Sequence, residues 1–209
     1  MTYTFLEMEK YPRRAQFDYF RSMRYPYAGV TVDVDVTNAL RFSRENKRSF
    51  YLTMIHAAAL AADGVPEFRR RIRGKRIVEY SECPTSHIEP TEGEGYCYCT
   101  LRHHMDLDEY FDRAEKARSA CAENGITEDA DAESMLFISA LPWLSYTSLI
   151  QPTAGDGDSN PRITWGRYTM DPGGRTRMPV SVLVHHALAD GAHIARFYRN
   201  LDDFIAGLP

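Results

Sequence analysis

Residues 179–191 read PVSVLVHHALADG, and this stretch decides the interpretation of the chain. Its first part, residues 179–184, is apolar and β-branched, which is typical of a buried strand. Beyond Gly191, apolar residues recur at helical spacing, at Ile194, Phe197 and Leu201. The two histidines and the aspartate between these elements therefore lie at a strand-to-helix corner, where side chains can meet a ligand.

Three residues at this corner carry candidate chemistry: His185, His186 and Asp190. An imidazole is the side chain best suited to act as a general base near neutral pH. Asp190 can complete a catalytic triad or can hold the corner through a buried ion pair. A purely structural interpretation stays open, in which one histidine fills the core and Asp190 caps the helix. Gly191 is expected where backbone approaches closely or φ turns positive.

The length of the chain suits one large domain or two small ones, and a single domain over residues 1–209 is expected. The chain has 209 residues, 44% hydrophobic and 12% aromatic, which is enough for a sizeable core. The net charge of -4 argues against nucleic acid as a partner. The arginine-rich segment 69–76 is interpreted as a solvated hairpin, with an anionic-ligand site as the alternative.

No segment predicts a membrane span or a leader peptide, so a cytoplasmic protein without membrane partners is expected. The four cysteines do not suggest a disulfide framework, and Cys97 and Cys99 are interpreted as small buried strand residues. His87 and the pair His103-His104 lack metal-ligand spacing and are expected at the surface or at strand edges. No metal is therefore expected.

Hydrophobic periodicity predicts helices and strands without a regular βαβ alternation. Helices are expected over residues 14–23, 50–62 and 106–124. Asp106 is expected to cap the last of these and Gly125 to end it. Thr37-Asn38 can cap a further helix that follows them. Strands are expected over residues 30–36, 96–101, 135–139, 162–170 and 178–185, with a hairpin turn at 73–75. This mixture indicates an α+β fold with a large mixed sheet.

Four segments together resemble the chloramphenicol acetyltransferase family. They are the HHxxxDG pattern at 185–191, ISALPW at 138–143, the double arginine in 11–17 (YPRRAQF), and RITWGRY at 162–168. The resemblance covers the whole chain. It implies a two-layer α/β sandwich whose large mixed sheet has helices on one face. It also implies acetyl-CoA as co-substrate and a homotrimer with active sites at subunit interfaces.

The resemblance assigns roles residue by residue. It implies that His186 is the general base, that Ser139 stabilises the oxyanion, and that His185 is structural. It also implies that Asp190 pairs with Arg13. Thr164 matches a threonine that binds a water beside the intermediate, and Arg167 matches a basic residue that contacts CoA, although an ordinary solvated arginine on a strand stays possible.

The acceptor pocket is where the sequence departs from the family pattern. Its expected residues are Tyr19, Phe20, Tyr96, Tyr98, Leu149 and Gln151. Tyr19-Phe20 reverses the family's usual order, Tyr98 replaces a small residue, and Gln151 stands at an apolar position. The resemblance thus implies acetyl transfer from acetyl-CoA to a small-molecule hydroxyl by direct attack in a ternary complex. The alternatives are an acceptor other than chloramphenicol, or a non-catalytic binding or scaffold protein.

Overall fold

The computed structural model describes residues 1–91, 93, 95–124, 131–155 and 157–209, with only the backbone described at 122–124. The helices are α1 (Arg14–Phe20), α2 (Thr37–Glu45), α3 (Phe50–Asp63), α4 (Leu107–Asn124) and α5 (Gly191–Ala206). The strands are β1 (Tyr3–Phe5), β2 (Tyr27–Asp35), β3 (Arg70–Arg73), β4 (Arg76–Tyr80), β5 (Thr85–Pro90), β6 (Tyr96–Leu101), β7 (Leu136–Leu141), β8 (Arg162–Gly166), β9 (Thr169–Met170) and β10 (Thr176–His185). No helix in these ranges is both long and apolar enough to cross a membrane.

A mixed sheet forms the centre of the fold, as the sequence predicts. Its strands run in the order β2-β10-β8-β7-β5-β6, and β9 pairs with β10. Strand β7 is parallel to both of its neighbours, whereas the other pairs are antiparallel. Because β7 lies in the middle of the sheet, a side chain on it has neighbours on both sides.

The core lies between this sheet and the helices. Val180, Val182 and Val184 alternate along β10 and belong to the main core cluster, with Phe197 of α5 and Ile55 of α3. Helix α3 is buried over most of its length, and Ser49 caps its first turn. The alanine-rich sequence of α3 allows it to pack closely on α5.

A second, smaller sheet was not predicted. The predicted hairpin around Gly74 forms as β3 and β4, but β1 adds a third strand in the order β1-β4-β3. Strand β1 has only three residues, all exposed, so no burial pattern marks it.

The interpretation of segment 69–76 as a solvated hairpin is wrong for Arg71. This side chain is completely buried. Its guanidinium donates to the carbonyl oxygens of Phe68 at 2.8 Å, Glu133 at 2.7 Å and Met135 at 2.8 Å. Carbonyl dipoles therefore satisfy the charge, and the arginine joins the hairpin to the segment before β7.

The cysteine prediction also needs correction. Cys97 and Cys99 are buried on β6 as expected, but Cys97 forms a disulfide with Cys121 of α4, across a Cα–Cα distance of 5.9 Å. Two histidines expected near the surface are buried, since His87 is 1% and His103 2% exposed. Only packing between distant segments produces these positions.

Of the three predicted helix-end signals, one is wrong, one is confirmed and one lies outside the described residues. Helix α2 begins at Thr37 with Val36 before it, and the Thr37 hydroxyl donates to the Asp35 carboxylate at 2.6 Å, so Thr37-Asn38 is not a side-chain cap. Asp106 accepts from the Glu109 amide at 2.9 Å at the start of α4, as predicted. The closing Gly125 lies outside the described residues.

Candidate active site

The strand-to-helix corner after β10 is a tight turn fixed by His185. The His185 carbonyl accepts from the amides of Leu188 at 2.9 Å and Ala189 at 3.1 Å. Its buried ring accepts from the Ala187 amide through Nδ1 at 3.2 Å. The ring is thus engaged with its own turn, which supports a structural role for this histidine.

His186 is half-buried at the same corner and presents one ring nitrogen. Its Nδ1 lies 3.0 Å from the Ala189 carbonyl oxygen. Because a carbonyl only accepts, Nδ1 carries the proton and the Nε2 lone pair is the basic one. The ring packs on Phe20 of α1, with centroids 3.9 Å apart and planes at 31°. This arrangement fixes both the tautomer and the orientation that a general base needs.

Asp190 is engaged with Arg13 and with the start of α5. Its carboxylate forms an ion pair with Arg13 and accepts from the Ala192 amide at 3.0 Å. His193 Nδ1 lies 2.7 Å from the same carboxylate. Burial raises the pKa of Asp190, but the Arg13 hydrogen bond and the charges of His193 and Arg13 outweigh it, lowering that pKa to about 2. These contacts agree with a structural ion pair and helix cap rather than a triad with His186.

Two expectations at this corner need correction. The Arg13–Asp190 pair is not fully buried in the chain, since the two side chains are 19% and 33% exposed. Gly191 has neither a positive φ nor any atom within 4 Å of where a Cβ would stand. Within the described residues of one chain, therefore, neither reason given for a glycine applies.

Ser139 lies where two cavities meet. It stands on β7, opposite Thr164 of β8, and lines both a cavity of about 430 Å³ and another of about 640 Å³. Tyr98 and Gln151 line the smaller cavity, and Arg167 lines the larger. Ser139 therefore borders both spaces.

The larger cavity is mostly apolar and carries a cation at its edge. Tyr51, Trp143 and Trp165 supply aromatic surface, and the exposed Arg167 supplies a cation. Arg118 also lines the cavity, where it is paired with Glu89 at 2.8 Å. Sequence reasoning missed Tyr51 and Trp143 as lining residues, although Trp143 belongs to the ISALPW segment. Such a cavity suits a long, partly apolar ligand that ends in an anionic group.

Thr164 is 3% exposed, and its hydroxyl donates to the Gln151 side-chain oxygen at 3.2 Å. Gln151 thus partners the hydroxyl that was expected to hold a water, and it also lines the smaller cavity. The structure brings Tyr98, Gln151 and Ser139 together around one space.

The other expected acceptor residues lie elsewhere in the chain. Tyr96 lines the larger cavity with Arg167 rather than the smaller one, which corrects its assignment. Leu149 lines a neighbouring groove along β2 and β10, and Gln151 borders both this groove and the smaller cavity. Tyr19 is 63% exposed on α1, next to Phe20, which packs on His186. Within one chain these six residues do not form one pocket.

Ser139 and His186 are far apart in one chain. Ser139 and Ser181 both pair with Thr164, so Ser181 marks the level of Ser139 on β10. His186 lies five residues further along, which gives a separation of roughly 15–20 Å from the strand rise and strand spacing. One chain therefore cannot apply both side chains to the same reacting group.

A mixed sheet that ends in an HHxxxDG corner, with a serine between two cavities, is the arrangement of a CoA-dependent acyltransferase. A family model described as chloramphenicol acetyltransferase matches residues 1–202. The chain belongs to the chloramphenicol acetyltransferase family.

Individual relatives agree over nearly their whole length. A chloramphenicol acetyltransferase of Klebsiella sp is 28% identical over 205 residues, covering 97% of this chain and 93% of the relative. Chloramphenicol acetyltransferase 3 of Escherichia coli is 28% identical over 211 residues, covering 97% of each. A solved chloramphenicol acetyltransferase superposes with a TM-score of 0.90 at 26% identity, covering 98% of this chain and 100% of the other.

Proposed function

We propose that this chain is a single-domain O-acetyltransferase that transfers the acetyl group of acetyl-CoA to a hydroxyl of a small molecule. The position of Ser139, at the meeting point of two cavities, carries this proposal. The larger cavity suits CoA, with Arg167 near its anionic part, and the smaller suits the acceptor. Family membership favours this enzyme over a non-catalytic scaffold.

The reaction needs a base and an oxyanion donor. His186 Nε2 takes the proton of the acceptor hydroxyl while the oxygen of that hydroxyl attacks the thioester carbon. The Ser139 hydroxyl donates to the oxygen that becomes negative. When the C–S bond breaks, protonated His186 returns the proton to the leaving thiolate. The acetyl group passes directly to the acceptor, and no acyl-enzyme forms.

The separation of Ser139 and His186 supports an active site made from two chains. We place His186 of one copy against Ser139 of the next, in a homotrimer. Apolar side chains exposed in one chain fit such an assembly: Ile150 is 89%, Trp143 74% and Tyr25 58% exposed. Repeating one heterologous contact three times closes a ring.

The acceptor is proposed to be more polar than chloramphenicol. The relatives are named for chloramphenicol, but in this chain Tyr98 and Gln151 line the smaller cavity and make its wall more polar. A tyrosine ring removes volume that a planar aromatic acceptor would need, and it adds a hydroxyl that can bind a polar one.

Thiol release from acetyl-CoA in the presence of varied alcohols tests the function. Acceptor-dependent thiol release, lost in His186→Ala, is expected. Absence of release with every class of hydroxyl compound, from protein that still binds CoA, would contradict the enzyme assignment. Mass in solution tests the trimer.

A further inference from the structure

A cluster of metal-ligand side chains lies outside the candidate active site. Asp63 ends α3, and His103 and His104 follow β6. Both imidazole Nε2 atoms lie 2.9 Å from the same Asp63 oxygen. One ligand atom from each residue falls within 4.8 Å of the other two. A single ion can therefore contact all three side chains.

The protein positions this cluster in advance. The Cys83 amide donates to the Asp63 carboxylate at 3.2 Å. The His103 carbonyl lies 3.2 Å from His56 Nε2, which fixes the backbone beside the cluster. The side chains of Asp63 and His103 are 5% and 2% exposed, whereas that of His104 is 50% exposed. His104 thus opens the cluster to solvent, from which an ion and a water can enter.

The donor set and the charge both favour a divalent ion of the zinc class. Two imidazole nitrogens and one carboxylate oxygen are a common zinc set, and water can take the fourth tetrahedral position. The Asp63 side chain is 5% exposed, and a cation bound through the two Nε2 lone pairs would compensate its buried carboxylate. We propose that Asp63, His103 and His104 bind one such ion per chain.

The site is structural rather than catalytic. Leu101 of β6 pairs with Thr85 of β5, and Thr85 pairs with Leu136, which lies three residues before Ser139 on β7. Beyond Leu101 the chain continues toward His103, away from the level of Ser139 in the sheet. From the strand rise and spacing, His103 is roughly 15–20 Å from Ser139. The ion would join the end of α3 to the turn between β6 and α4. It would therefore stabilise the fold without touching the reaction.

The affinity is expected to be moderate. His103 Nδ1 is buried without a hydrogen-bond partner among the described residues. Metal-bound histidines usually donate this second nitrogen to an acceptor, and loss of such a partner lowers affinity by about 10–100-fold. The zinc affinity is therefore expected to be about 10–100-fold weaker than that of a site whose histidines have such partners.

Zinc titration of untagged, chelator-treated full-length protein tests the site. Calorimetry and metal analysis should give one zinc per chain, with a rise in Tm of about 5 °C or more when free zinc is about 100-fold above Kd. Cobalt(II) should give the visible absorption of a tetrahedral ion. His104→Ala should weaken zinc binding at least tenfold. Arg102→Ala, an exposed change in the same turn, should leave it unaltered.

Asp63→Asn should weaken binding as well, and circular dichroism checks its folding because Asp63 is buried. If Asp63→Asn does not fold, the exposed His104→Ala decides the question. No stoichiometric zinc binding by the unmodified protein would overturn the proposal. So would unchanged affinity in His104→Ala.

Discussion

Arg13 and Asp190 lie 177 positions apart in the sequence and join the starts of α1 and α5. Through this pair, α1 is held beside the corner where Phe20 packs on His186. The ion pair thus links two ends of the chain at the place where the base is oriented.

The pair should make the protein sensitive to acid. The folded pKa of Asp190 is about 2, below the ordinary 3.8, so its stabilising contribution is present above pH 4 and is lost as pH falls towards 2. In that window, Asp190→Asn should flatten the dependence of unfolding free energy on pH. Equal pH slopes in both proteins would contradict this expectation.

A double-mutant cycle on Arg13 and Asp190 should give a coupling of about 1–2 kcal/mol, between the values of exposed and buried pairs. The Arg14–Asp18 pair, about half exposed, serves as the control and should couple by less than about 0.5 kcal/mol. Denaturant unfolding measures both cycles.

Substitution of the two corner histidines should have different effects, one on catalysis and the other on stability. His186→Ala should lose about 10²–10⁴-fold in kcat, the contribution of general base catalysis, with CoA still bound. His185→Ala should mainly lower Tm, because its buried ring fixes the turn. Steady-state kinetics and thermal unfolding distinguish the two. Equal catalytic loss from both well-folded variants would count against His186 as the base.

Ser139→Ala should lower kcat by about 10²-fold, as loss of an oxyanion donor does elsewhere. If Ser139 and His186 of different chains form each site, mixing the two inactive variants restores activity. After random reassembly from equal amounts, about a quarter of the sites in a closed ring hold both intact residues. Recovery near a quarter of native activity is therefore expected, and no recovery in mixed, reassembled protein would contradict the shared site.

The acceptor cavity should respond to Tyr98 and not to Tyr96. Native protein should acetylate chloramphenicol weakly, and Tyr98→Ala should raise kcat/KM for it by about tenfold or more, because volume is released. Tyr96→Ala, on the larger cavity, should alter the KM for acetyl-CoA instead. Efficient native turnover of chloramphenicol would show that Tyr98 does not limit the cavity.

The Cys97–Cys121 disulfide should contribute measurable stability. It closes a 24-residue separation, for which chain entropy predicts about 3 kcal/mol, or roughly 6–12 °C in Tm. Reductant should lower the Tm of the native protein and leave that of Cys121→Ser unchanged. Equal Tm with and without reductant would disprove the contribution.

Local patterns were sufficient for the corner and most of the large sheet. Residues 179–191 contain the strand, the turn and the helix start in one stretch, so their placement needs no distant partner. In contrast, β1 is three exposed residues that become a strand only by pairing with β4. Nothing in its own sequence marks it.

Contacts between distant segments explain what the sequence did not predict. Asp63 lies 40 residues before His103, so spacing rules for metal ligands do not detect the cluster. Tyr96 and Tyr98 share one face of β6, as alternation predicts, yet they line different cavities. The two-residue alternation of a strand tells which face a side chain lies on, but not which cavity it meets along that face.

The buried Arg71 bears on how the chain is made. Its carbonyl partners at Glu133 and Met135 are synthesised 62 and 64 residues after it. During translation, the hairpin of β3 and β4 can form early, but its guanidinium stays solvated until those residues emerge. The hydrogen bonds of Arg71 to these carbonyls can therefore form only after residue 135, about two-thirds of the way along the chain, has been made, however fast the hairpin itself folds.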